Sequence, residues 1–342
     1  MIKNISSKNI IEDAKIKNSF VRASYKDKDL SCNILKGDFY LDTFNYFPIT
    51  ENFETFKELF LRDINKNIDH FYTESFFNNF SNNIKNFKRF DDVYILGTNA
   101  GDNYYSNLIQ FLPRLFFNKK NNAKIAIHRN SSNKLRNFIK NVCMYQNIKI
   151  SFLYLDDNFY SFKSSQFPQF FDLNTSINIL NNLLLTKSNK FKDEKIYVTR
   201  EDSAYRKIIN ESDLIPLLRS KGYKVINPNL YEIEEQINIF ANAKKIISTH
   251  GSNLTNIIFC NEGTEIFEIG PKFQNNYELL LEDRYKSISR IKNLKYSRII
   301  TDTVNVKTHP SIAKKYINKK ILDTSNYYKN LVVRISDFKN IE

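Results

Sequence analysis

From Asp91 to about residue 155, two hydrophobic patterns alternate along the chain. Short continuous apolar runs, typical of buried strands, are DVYILG (residues 92–97), AKIAIHR (123–129) and IKISFLYL (148–155). Between them, apolar residues recur every three or four positions, the spacing of one helical face. The two helical stripes are Tyr104, Leu108, Phe111 and Leu115, then Leu135, Phe138, Ile139 and Val142. Pro113 is expected to kink or end the first helix. The pattern predicts a β-α-β-α-β block.

The alternation restarts after LNTSINILNNLLLTKSNKFKDE (173–194), which predicts a helix followed by a charged linker. Strands are predicted at KIYVTR (195–200), KVINP (224–228), KKIIST (244–249) and TEIFEI (264–269). Helices are predicted at NESDLIPLLRSKGY, at the stripe Ile233, Ile237 and Phe240, and at NLTNIIF. Gly222 should close the first of these, and Pro216 places its start at Ser212 or Asp213, which keeps the proline in the first turn. Two such blocks predict an α/β protein with two Rossmann-like domains facing a cleft.

The domain boundaries follow from these blocks. We expect an N-terminal domain over residues 1–190, with its core at 90–190 and a mixed pattern over residues 1–85. Within that first part, DFYLDTFNYF reads as a strand and FETFKELFLRDI as a helix, with Phe53, Phe56, Leu59 and Phe60 on one face. The second domain is predicted over 191–300, and residues 301–342 as a C-terminal helical tail.

Composition restricts the class of protein and its partners. The chain has 342 residues, 42% hydrophobic residues and a formal net charge of +14, so it can form globular cores and should favour anionic partners. Nucleotide sugars, acidic glycans and an anionic membrane face all fit that charge. No compact basic stripe or nucleic-acid module is present in the sequence, so nucleic acid is the weaker alternative.

Cysteine and histidine spacing argues against disulfides and zinc. Cys32, Cys143 and Cys260 are odd in number and far apart, and the four histidines are isolated from one another. The first twenty residues contain no continuous apolar segment of the signal-peptide kind, and no run approaches a membrane span. A cytoplasmic location, with room for peripheral contact with the inner membrane face, is the expectation.

The segment STHGSNLTN (248–256) joins a predicted strand to a predicted helix. As a plain turn it needs Gly251 for tightness and Ser252 or Asn253 as a helix cap. This interpretation does not explain why a histidine is present at position 250. As a ligand site it offers the N–H groups of residues 252–255 to a phosphate, with His250 donating to a phosphate or sugar oxygen. Spacing alone leaves both interpretations open.

Two arginines follow the strand that opens the second block. In VTREDSAYRKIINE, Arg200 and Arg206 lie six positions apart, and Asn210 and Glu211 could orient them. The alternative is a pair of solvated side chains in a basic protein. Carboxyl ends of parallel strands form the ligand crevice of open α/β sheets, where guanidinium groups suit a pyrophosphate. We therefore expect this loop to emerge beside the His250 turn.

Taken together, these motifs resemble glycosyltransferase family 61. The resemblance rests on the spacing R-x5-R-x3-NE, on EEQINIFANAKKIISTHGSNLTN and on GTEIFEI, and more loosely on GDNYYSNLIQFLPRL. The family segment H-G-A/S-G-L-T-N is matched by His250, Gly251, Ser252, Leu254, Thr255 and Asn256. Asn253 replaces the usual glycine, and Ser106 and Asn107 replace the common histidine and tryptophan. Further matching positions are Glu235, Gln236, Glu268, Asn103, Tyr104, Pro113 and Arg114.

The resemblance implies a two-Rossmann (GT-B) enzyme that inverts the anomeric carbon without an essential metal or cofactor. Its co-substrate would be a nucleotide sugar, with a UDP-sugar as the first expectation. Its acceptor would be a glycan or lipid-linked glycan in surface polysaccharide synthesis. The only Asp-x-Asp is Asp27-Lys28-Asp29, which follows no strand; Arg200, Arg206 and the helix end after His250 would then meet the charge of the leaving diphosphate.

An inverting transfer also needs a base. Asp102, after the first strand of the N-terminal block, is the first candidate, although it could instead cap the following helix. His250 is the second candidate, and Asp156 and Asp157 are the third. Two other functions stay open: a degenerate family member that binds nucleotide or glycan without turnover, and a basic module that binds membranes or nucleic acid.

Overall fold

The computed structural model describes two compact units, residues 1–180 and 181–342. The described residues are 3–5, 19–24, 31–43, 46–51, 54–56, 59, 74–97, 101–184, 194–203, 205–273, 276–304 and 326–341. The Asp27-Lys28-Asp29 triplet, Phe53, Phe60, residues 98–100 and the linker after residue 184 therefore lie outside the described residues. Together, the described parts form a mixed α/β fold with two sheets of mostly parallel strands.

The N-terminal unit contains ten strands and three complete helices within its described residues. The strands are β1 (Lys3–Ile5), β2 (Ser19–Ser24), β3 (Ser31–Asp42), β4 (Phe47–Thr50), β5 (Glu54–Phe56), β6 (Lys88–Asp91), β7 (Val93–Gly97), β8 (Ala123–His128), β9 (Ile150–Leu155) and β10 (Phe159–Pro168). The helices are α1 (Glu74–Asn83), α2 (Leu112–Leu115), which continues a π-helical segment Ser106–Phe111, and α3 (Asn133–Tyr145). A further helix, α4 (Leu173–Leu184), runs across the division between the units.

The main sheet of this unit has the order β2-β3-β10-β7-β8-β9. Strands β10, β7, β8 and β9 are parallel neighbours, whereas β3 runs antiparallel to β10 and to β2. The predicted strands β7, β8 and β9 and the helix α3 are confirmed, and the stripe of α3 faces the core: Leu135, Phe138, Ile139 and Val142 are buried. Ser132 caps α3 by accepting the Leu135 N–H at 3.2 Å.

Two features of this unit differ from the sequence prediction. Strand β10, at the centre of the sheet, was not predicted, because a bulge between Phe162 and Ser165 breaks its period-two alternation. The helix predicted over FETFKELFLRDI is wrong at its start. Residues Glu54–Phe56 form β5, which pairs in parallel with β1, so pairing with a distant segment overrides the local helical spacing.

The helix predicted after β7 is present but not uniform. Residues 106–111 form a wider π-helical turn before the α-helical segment that carries Pro113 at its second position. Proline cannot donate a hydrogen bond to the preceding turn, and π-turns are a common response to such a break in the ladder. Leu108, Phe111 and Leu115 are buried as predicted.

The C-terminal unit is built on a second sheet. Its strands are β11 (Glu194–Val198), β12 (Tyr223–Ile226), β13 (Ala243–Thr249), β14 (Glu265–Pro271), β15 (Lys295–Val304) and β16 (Asn330–Val332), in the order β12-β11-β13-β14-β15-β16. Helices α5 (Glu211–Ser220), α6 (Ile233–Ala241) and α7 (Asn276–Ile291) and a 3₁₀ helix (Ser252–Phe259) connect the parallel strands. Shorter 3₁₀ turns are Pro228–Leu230, Asn326–Tyr328 and Ile335–Phe338.

The strand order indicates the edge of the sheet at which folds of this kind bind ligands. With β11 counted as the first strand, the parallel strands follow the order 2-1-3-4-5, one of the two common doubly wound orders. Chain direction across the sheet reverses between β11 and β13, which pair directly. Ligands of such sheets bind outside the carboxyl ends of the strands at this point. In this chain those ends lead into Arg200 and into His250.

Most predicted elements of this unit are confirmed, with two differences. Helix α5 begins at Glu211, so Pro216 lies in its second turn; Gly222 closes it with φ +83°. The helical tail predicted for 301–342 is wrong where residues 301–304 extend β15 and Asn330–Val332 form β16, whereas Asn326–Tyr328 and Ile335–Phe338 are short 3₁₀ helices. Leu331, Val333 and Phe338 are buried in the core with Leu214 and Leu218, and this burial favours an edge strand.

No helix among the described residues combines the length and apolar character needed to cross a membrane.

Candidate active site

The segments after β11 and β13 meet at the edge of the C-terminal sheet. The closest approach is between Arg200 and Gly251. A β-carbon placed on Gly251 would lie 2.0 Å from Arg200 Nη1 and 2.8 Å from its Cζ. The backbone of Gly251 is extended, with φ 168°, so any residue could adopt it. Glycine is required here because the guanidinium occupies the space of a side chain, and the expectation that the arginine loop emerges beside this turn is met in the geometry.

Arg206 lies in the same loop and is almost completely buried. Its exposed fraction is 2%, its guanidinium carbon lies 4.7 Å from the centre of the Tyr205 ring, and its φ is +58°. The left-handed region is unfavourable for a residue with a long side chain, by about 1 kcal/mol or more. Residues held this way cluster at functional sites, where the surrounding structure maintains them.

His250 forms a buried hydrogen-bonded chain with two residues from neighbouring strands. Its Nδ1–H donates to Glu268 Oε1 at 2.6 Å, and the Tyr296 hydroxyl donates to Glu268 Oε2 at 2.9 Å. The exposed fractions of the His250 and Glu268 side chains are 1% and 0%. The pKa of His250 is lowered to about 4, chiefly by burial; the opposing effect of Glu268 is outweighed by burial together with the nearby cations Arg206 and Arg298. The imidazole is therefore neutral at pH 7.

The contacts of His250 hold its ring in one orientation. Because Nδ1 is committed to Glu268 and the ring packs edge-on against Phe273 and Tyr285 at 5.3 and 5.1 Å, the imidazole is held from several sides. Its predicted role as a general base stays untested, but its contacts are those of a positioning residue. Glu268, one of the positions that match the family, is completely buried and holds the His250 ring in place.

Arg298 on β15 was not predicted and belongs to the same cluster. A β-carbon on Gly270 would lie 3.1 Å from Arg298 Nη2 and 3.6 Å from His250 Cβ. Its guanidinium lies 4.6 Å from the centre of the Phe273 ring and donates to Pro271 O at 2.8 Å. No sequence motif marks this position; only the parallel pairing of β14 with β15 brings Arg298 opposite Glu268.

The three arginines create a concentrated positive field at one edge of the sheet. Arg200 and Arg206 are 8% and 2% exposed. Arg200 Nη2 donates to Tyr205 O at 3.5 Å, and both guanidinium groups lie over the Tyr205 ring. Buried guanidinium groups in a region of low dielectric attract anions far more strongly than exposed ones. This geometry fits a ligand with two or more negative charges, such as a diphosphate.

The turn after His250 divides into an accessible part and a buried part. Ser252 and Asn253 are partly exposed, whereas Leu254, Thr255 and Asn256 are completely buried. Leu254 N–H already donates to Gly251 O at 2.9 Å, and Asn256 Nδ2 donates to Gln236 Oε1 at 3.0 Å. Of the N–H groups of residues 252–255 predicted to hold a phosphate, that of Leu254 is therefore already bonded within the turn; the others stay a prediction. The side chains of Leu254, Thr255 and Asn256 shape the turn from within the core.

Two further features of this turn concern Asn253 and Tyr285. Asn253 is absent from the described residues with positive φ, so asparagine at the position of the usual glycine needs no left-handed backbone. The hydroxyl of Tyr285 donates to Gly251 O at 2.7 Å. The helix α7 therefore anchors the turn at the same residue against which Arg200 packs.

Asn210 and Glu211 do not serve the arginines as predicted. Asn210 Nδ2 donates to Val333 O at 2.9 Å and its Oδ1 accepts the Val333 N–H at 3.0 Å. Glu211 Oε1 accepts from Tyr197 and Thr199 at 2.5 and 2.8 Å. Asn210 therefore fixes the C-terminal segment, and Glu211 ties the start of α5 to the end of β11.

In the N-terminal unit, the turn after β7 carries three predicted site residues. Asn103, not Asp102, caps the following helix, because its Oδ1 accepts the Ser106 N–H at 3.0 Å. Asp102 is exposed and Tyr104 partly buried. Asn107, at the position of the family's tryptophan, donates to Gly101 O at 3.0 Å and to Asn103 O at 2.9 Å. The capping alternative for Asp102 is therefore wrong, while its role as a base stays a prediction.

Beside this turn, the ends of β8 and β9 supply a second polar group. His128 Nδ1 accepts the Asn130 N–H at 3.0 Å, and Nε2 lies 3.4 Å from Asp157 Oδ1. Arg129 pairs with Asp156 at 3.2 Å, with both side chains at least half exposed. A β-carbon on Gly101 would lie 3.6 Å from His128 Nδ1, so these groups adjoin the Asp102 turn.

The larger part of this chain matches a known protein family. Residues 76–267, more than half of the chain, match the family Glycosyltransferase 61. A 128-residue stretch is 30% identical to an EGF domain-specific O-linked N-acetylglucosamine transferase of Gallus gallus, covering 35% of this chain and 22% of that protein. The matched stretch thus spans about a fifth of the length of that curated relative. Arg298 and the C-terminal strand β16 lie beyond the family match.

Proposed function

The chain belongs to glycosyltransferase family 61, and from that premise we propose that it transfers a sugar from a nucleotide-sugar donor to a glycan acceptor. The observation that carries the proposal is the buried approach of Arg200 to Gly251, beside Arg206 and His250. That cluster would hold the donor diphosphate at the carboxyl ends of β11 and β13. The similar avian protein is named for transferring N-acetylglucosamine, which makes a UDP-sugar the first donor to test.

The proposed chemistry is a single inverting displacement. The acceptor hydroxyl oxygen attacks the anomeric carbon, the bond from that carbon to the diphosphate oxygen breaks, and the departing nucleoside diphosphate keeps the electron pair. Negative charge grows on the diphosphate as this bond breaks. Arg200 and Arg206 would stabilise that charge without a metal, because preorganised cations need no reorganisation during the reaction.

The proton of the acceptor hydroxyl must pass to a base. We assign this role to Asp102, an exposed carboxylate at the end of a parallel strand. His250 is less suited to it, since its ring is buried and its Nδ1 donates to Glu268. We propose a GT-B-like enzyme, in which the C-terminal unit binds the donor and the N-terminal unit binds the acceptor.

The biological setting is also part of the proposal. A glycan or lipid-linked glycan acceptor in surface polysaccharide synthesis, on the cytoplasmic side of a membrane, fits the formal net charge of +14. The second candidate is a family member that binds nucleotide or glycan without turnover. It is favoured by Ser106 and Asn107, which replace the common histidine and tryptophan, and by the commitment of Asn107 to holding the Gly101 turn.

A ligand panel tests the donor assignment. Purified full-length chain is heated with uridine, UDP, other nucleoside diphosphates and several UDP-sugars. We expect diphosphate-containing ligands to raise the melting temperature and uridine to leave it unchanged. A ligand at 100 times its Kd stabilises the folded state by about 2.7 kcal/mol. If no nucleoside diphosphate shifts the melting temperature, the diphosphate site is wrong.

Turnover separates the two candidate functions. Donor hydrolysis or transfer is followed in the presence of a chelator, and the anomeric configuration of the product is read by NMR. Turnover with inversion in excess chelator supports the proposed mechanism. Diphosphate binding without hydrolysis or transfer of any donor, across a panel of glycan acceptors, favours the non-catalytic candidate.

A further inference from the structure

The C-terminal segment, residues 326–333, lies against the loop that carries Arg206, residues 205–210. We name these the C-terminal clamp and the arginine loop. Leu331 N–H donates to Lys207 O at 2.8 Å, and Ile209 N–H donates to Leu331 O at 2.9 Å. These bonds form a parallel bridge between Ile208 and Leu331. The clamp thus continues the sheet onto the arginine loop.

Side chains of the clamp add contacts on both flanks of Arg206. Asn330 Oδ1 accepts the Lys207 N–H at 3.1 Å, on the residue directly after Arg206. Before Arg206, the Tyr205 ring packs edge-on against Tyr328, with ring centres 5.3 Å apart. The Tyr205 ring also contacts both guanidinium groups: its centre lies 4.7 Å from Arg206 Cζ and 5.9 Å from Arg200 Cζ. One tyrosine therefore links the clamp to both arginines.

These contacts account for the conformation of Arg206. Its φ of +58° is unfavourable for a long side chain, and such a conformation persists only where neighbouring contacts determine it. The bonds to Lys207 fix the backbone immediately after Arg206, and Tyr205 fixes the backbone immediately before it. Without the clamp, the backbone at Arg206 would relax to negative φ and its guanidinium would turn away from the Gly251 turn.

We propose that the C-terminal clamp is a positioning element of the donor site, through which residues outside the family match set the affinity for the donor diphosphate. The proposal rests on the proposed function, because it takes the ligand of Arg206 to be a nucleoside diphosphate. Leu331 itself is completely buried in the core, so its replacement would unfold the protein. Asn330 and Tyr328 lie at its partly exposed edge and can be changed separately.

Two pairs of variants test the proposal. Tyr328→Ala removes the ring that supports Tyr205, while Tyr328→Phe keeps it. Asn330→Ala removes the acceptor of the Lys207 N–H, while Asn326→Ala removes a hydrogen bond from the same clamp to Lys272 O, which is outside the arginine loop. Each variant is measured below its melting temperature, so that the folded fraction is the same in all samples.

Hydrogen exchange of the arginine loop is the first readout. In Asn330→Ala we expect exchange at Lys207 to rise by about tenfold, since a protecting bond at a locally opening site is lost. Asn326→Ala should leave this exchange unchanged. The second readout is the Kd for UDP, which should rise by about five- to tenfold in Tyr328→Ala and Asn330→Ala, a loss of roughly one well-placed contact. Tyr328→Phe should bind like the wild type.

The outcomes separate the two proposals. If wild-type protein does not bind UDP, the proposed function fails, and the exchange comparison alone then decides whether the clamp holds the loop. If the wild type binds UDP but all four variants bind it equally well, the clamp has no part in the donor site. Equal exchange in Asn330→Ala and Asn326→Ala would overturn the proposal at its structural step.

Discussion

The two units place polar side chains at the same position of a parallel sheet but surround them differently. In the C-terminal unit, Arg200 and Arg206 are nearly inaccessible to solvent and lie around a glycine turn. In the N-terminal unit, Arg129 and Asp156 are 63% and 50% exposed and pair with each other. Buried cations bind an anion strongly and exposed pairs contribute little. This difference supports our proposal that the donor binds to the C-terminal unit.

A second contrast concerns buried arginines. Arg114 in the N-terminal unit is as inaccessible as Arg206, but its guanidinium donates to backbone carbonyls: to Pro168 O at 3.1 and 2.6 Å and to Leu96 O. It also lies 4.0 Å from the Phe170 ring centre. This cation joins the ends of β7 and β10 and has a structural role. Burial alone therefore does not identify a ligand-binding arginine.

The largest effect is expected from Arg114. Arg114→Met should lower the free energy of unfolding by roughly 3–5 kcal/mol, because several buried carbonyl oxygens lose their donors. Denaturant unfolding measures this loss. The surviving folded protein should bind UDP with wild-type affinity. A large loss of UDP affinity, in protein shown to be folded, would remove the distinction between the two arginines.

The next effect is a pH dependence of stability centred on His250. Burial lowers the pKa of this histidine from 6.5 to about 4. Between these pH values the unfolded chain binds a proton that the folded chain does not. The free energy of unfolding is therefore unaffected by this group above pH 6.5 and falls as the pH decreases towards 4. The loss should reach up to roughly 3 kcal/mol.

Denaturant unfolding at several pH values, compared with His250→Gln, measures the contribution of this group. The variant should show a shallower loss of stability between pH 6.5 and 4. His128, whose side chain is 9% exposed and lies near an aspartate in the N-terminal unit, provides the matched control as His128→Gln. Equal slopes for wild type and His250→Gln would contradict the buried neutral imidazole.

A smaller effect is expected from Gly251→Ala. The extended backbone tolerates alanine, but its β-carbon would lie 2.0 Å from Arg200 Nη1 and displace the guanidinium. The Kd for UDP should rise by about ten- to thirtyfold, the loss of one charge-assisted contact. Gly263→Ala is the control: φ there is +79° and no atom lies within 4 Å of the new β-carbon. It should reduce stability by about 1 kcal/mol without changing UDP affinity.

The smallest effect is predicted for the exposed ion pair of the N-terminal unit. Arg129→Ala should change the free energy of unfolding by less than about 0.5 kcal/mol, because both partners are solvated. UDP affinity, measured by calorimetry, should also stay unchanged. A clear loss of UDP affinity in this variant would place part of the donor site in the N-terminal unit.

The strands and helices that could be predicted from the sequence are those that depend on local hydrophobic periodicity. Strands β7, β8, β11 and β13 and the stripe of α3 follow from short apolar runs and helical spacing, and the Arg200 and His250 segments follow from the ends of those strands. Strand β10 was not predicted because its bulge between Phe162 and Ser165 breaks the alternation of apolar and polar residues. The start of FETFKELFLRDI was assigned to a helix because its pairing partner is about fifty residues away.

The candidate site was predictable only where motif and strand end coincide. Arg298 joins the cluster through the pairing of β14 with β15, and no local pattern carries that information. Asn210 was assigned to the arginines, but it contacts Val333, 123 positions later. Asn210 was paired with the arginines because they are close in sequence, but tertiary packing places it against Val333. The contribution of β16 to the arginine loop was unpredictable for the same reason.

Titration of UDP into wild-type protein and Arg206→Ala most directly tests whether the buried arginines of the C-terminal unit hold a diphosphate. The expected result is a loss of affinity of about 100-fold or more, since one bidentate charge-assisted contact disappears. Circular dichroism and the melting temperature should show an intact fold. Unchanged UDP affinity in folded Arg206→Ala protein would contradict the assignment of the donor diphosphate to this cluster.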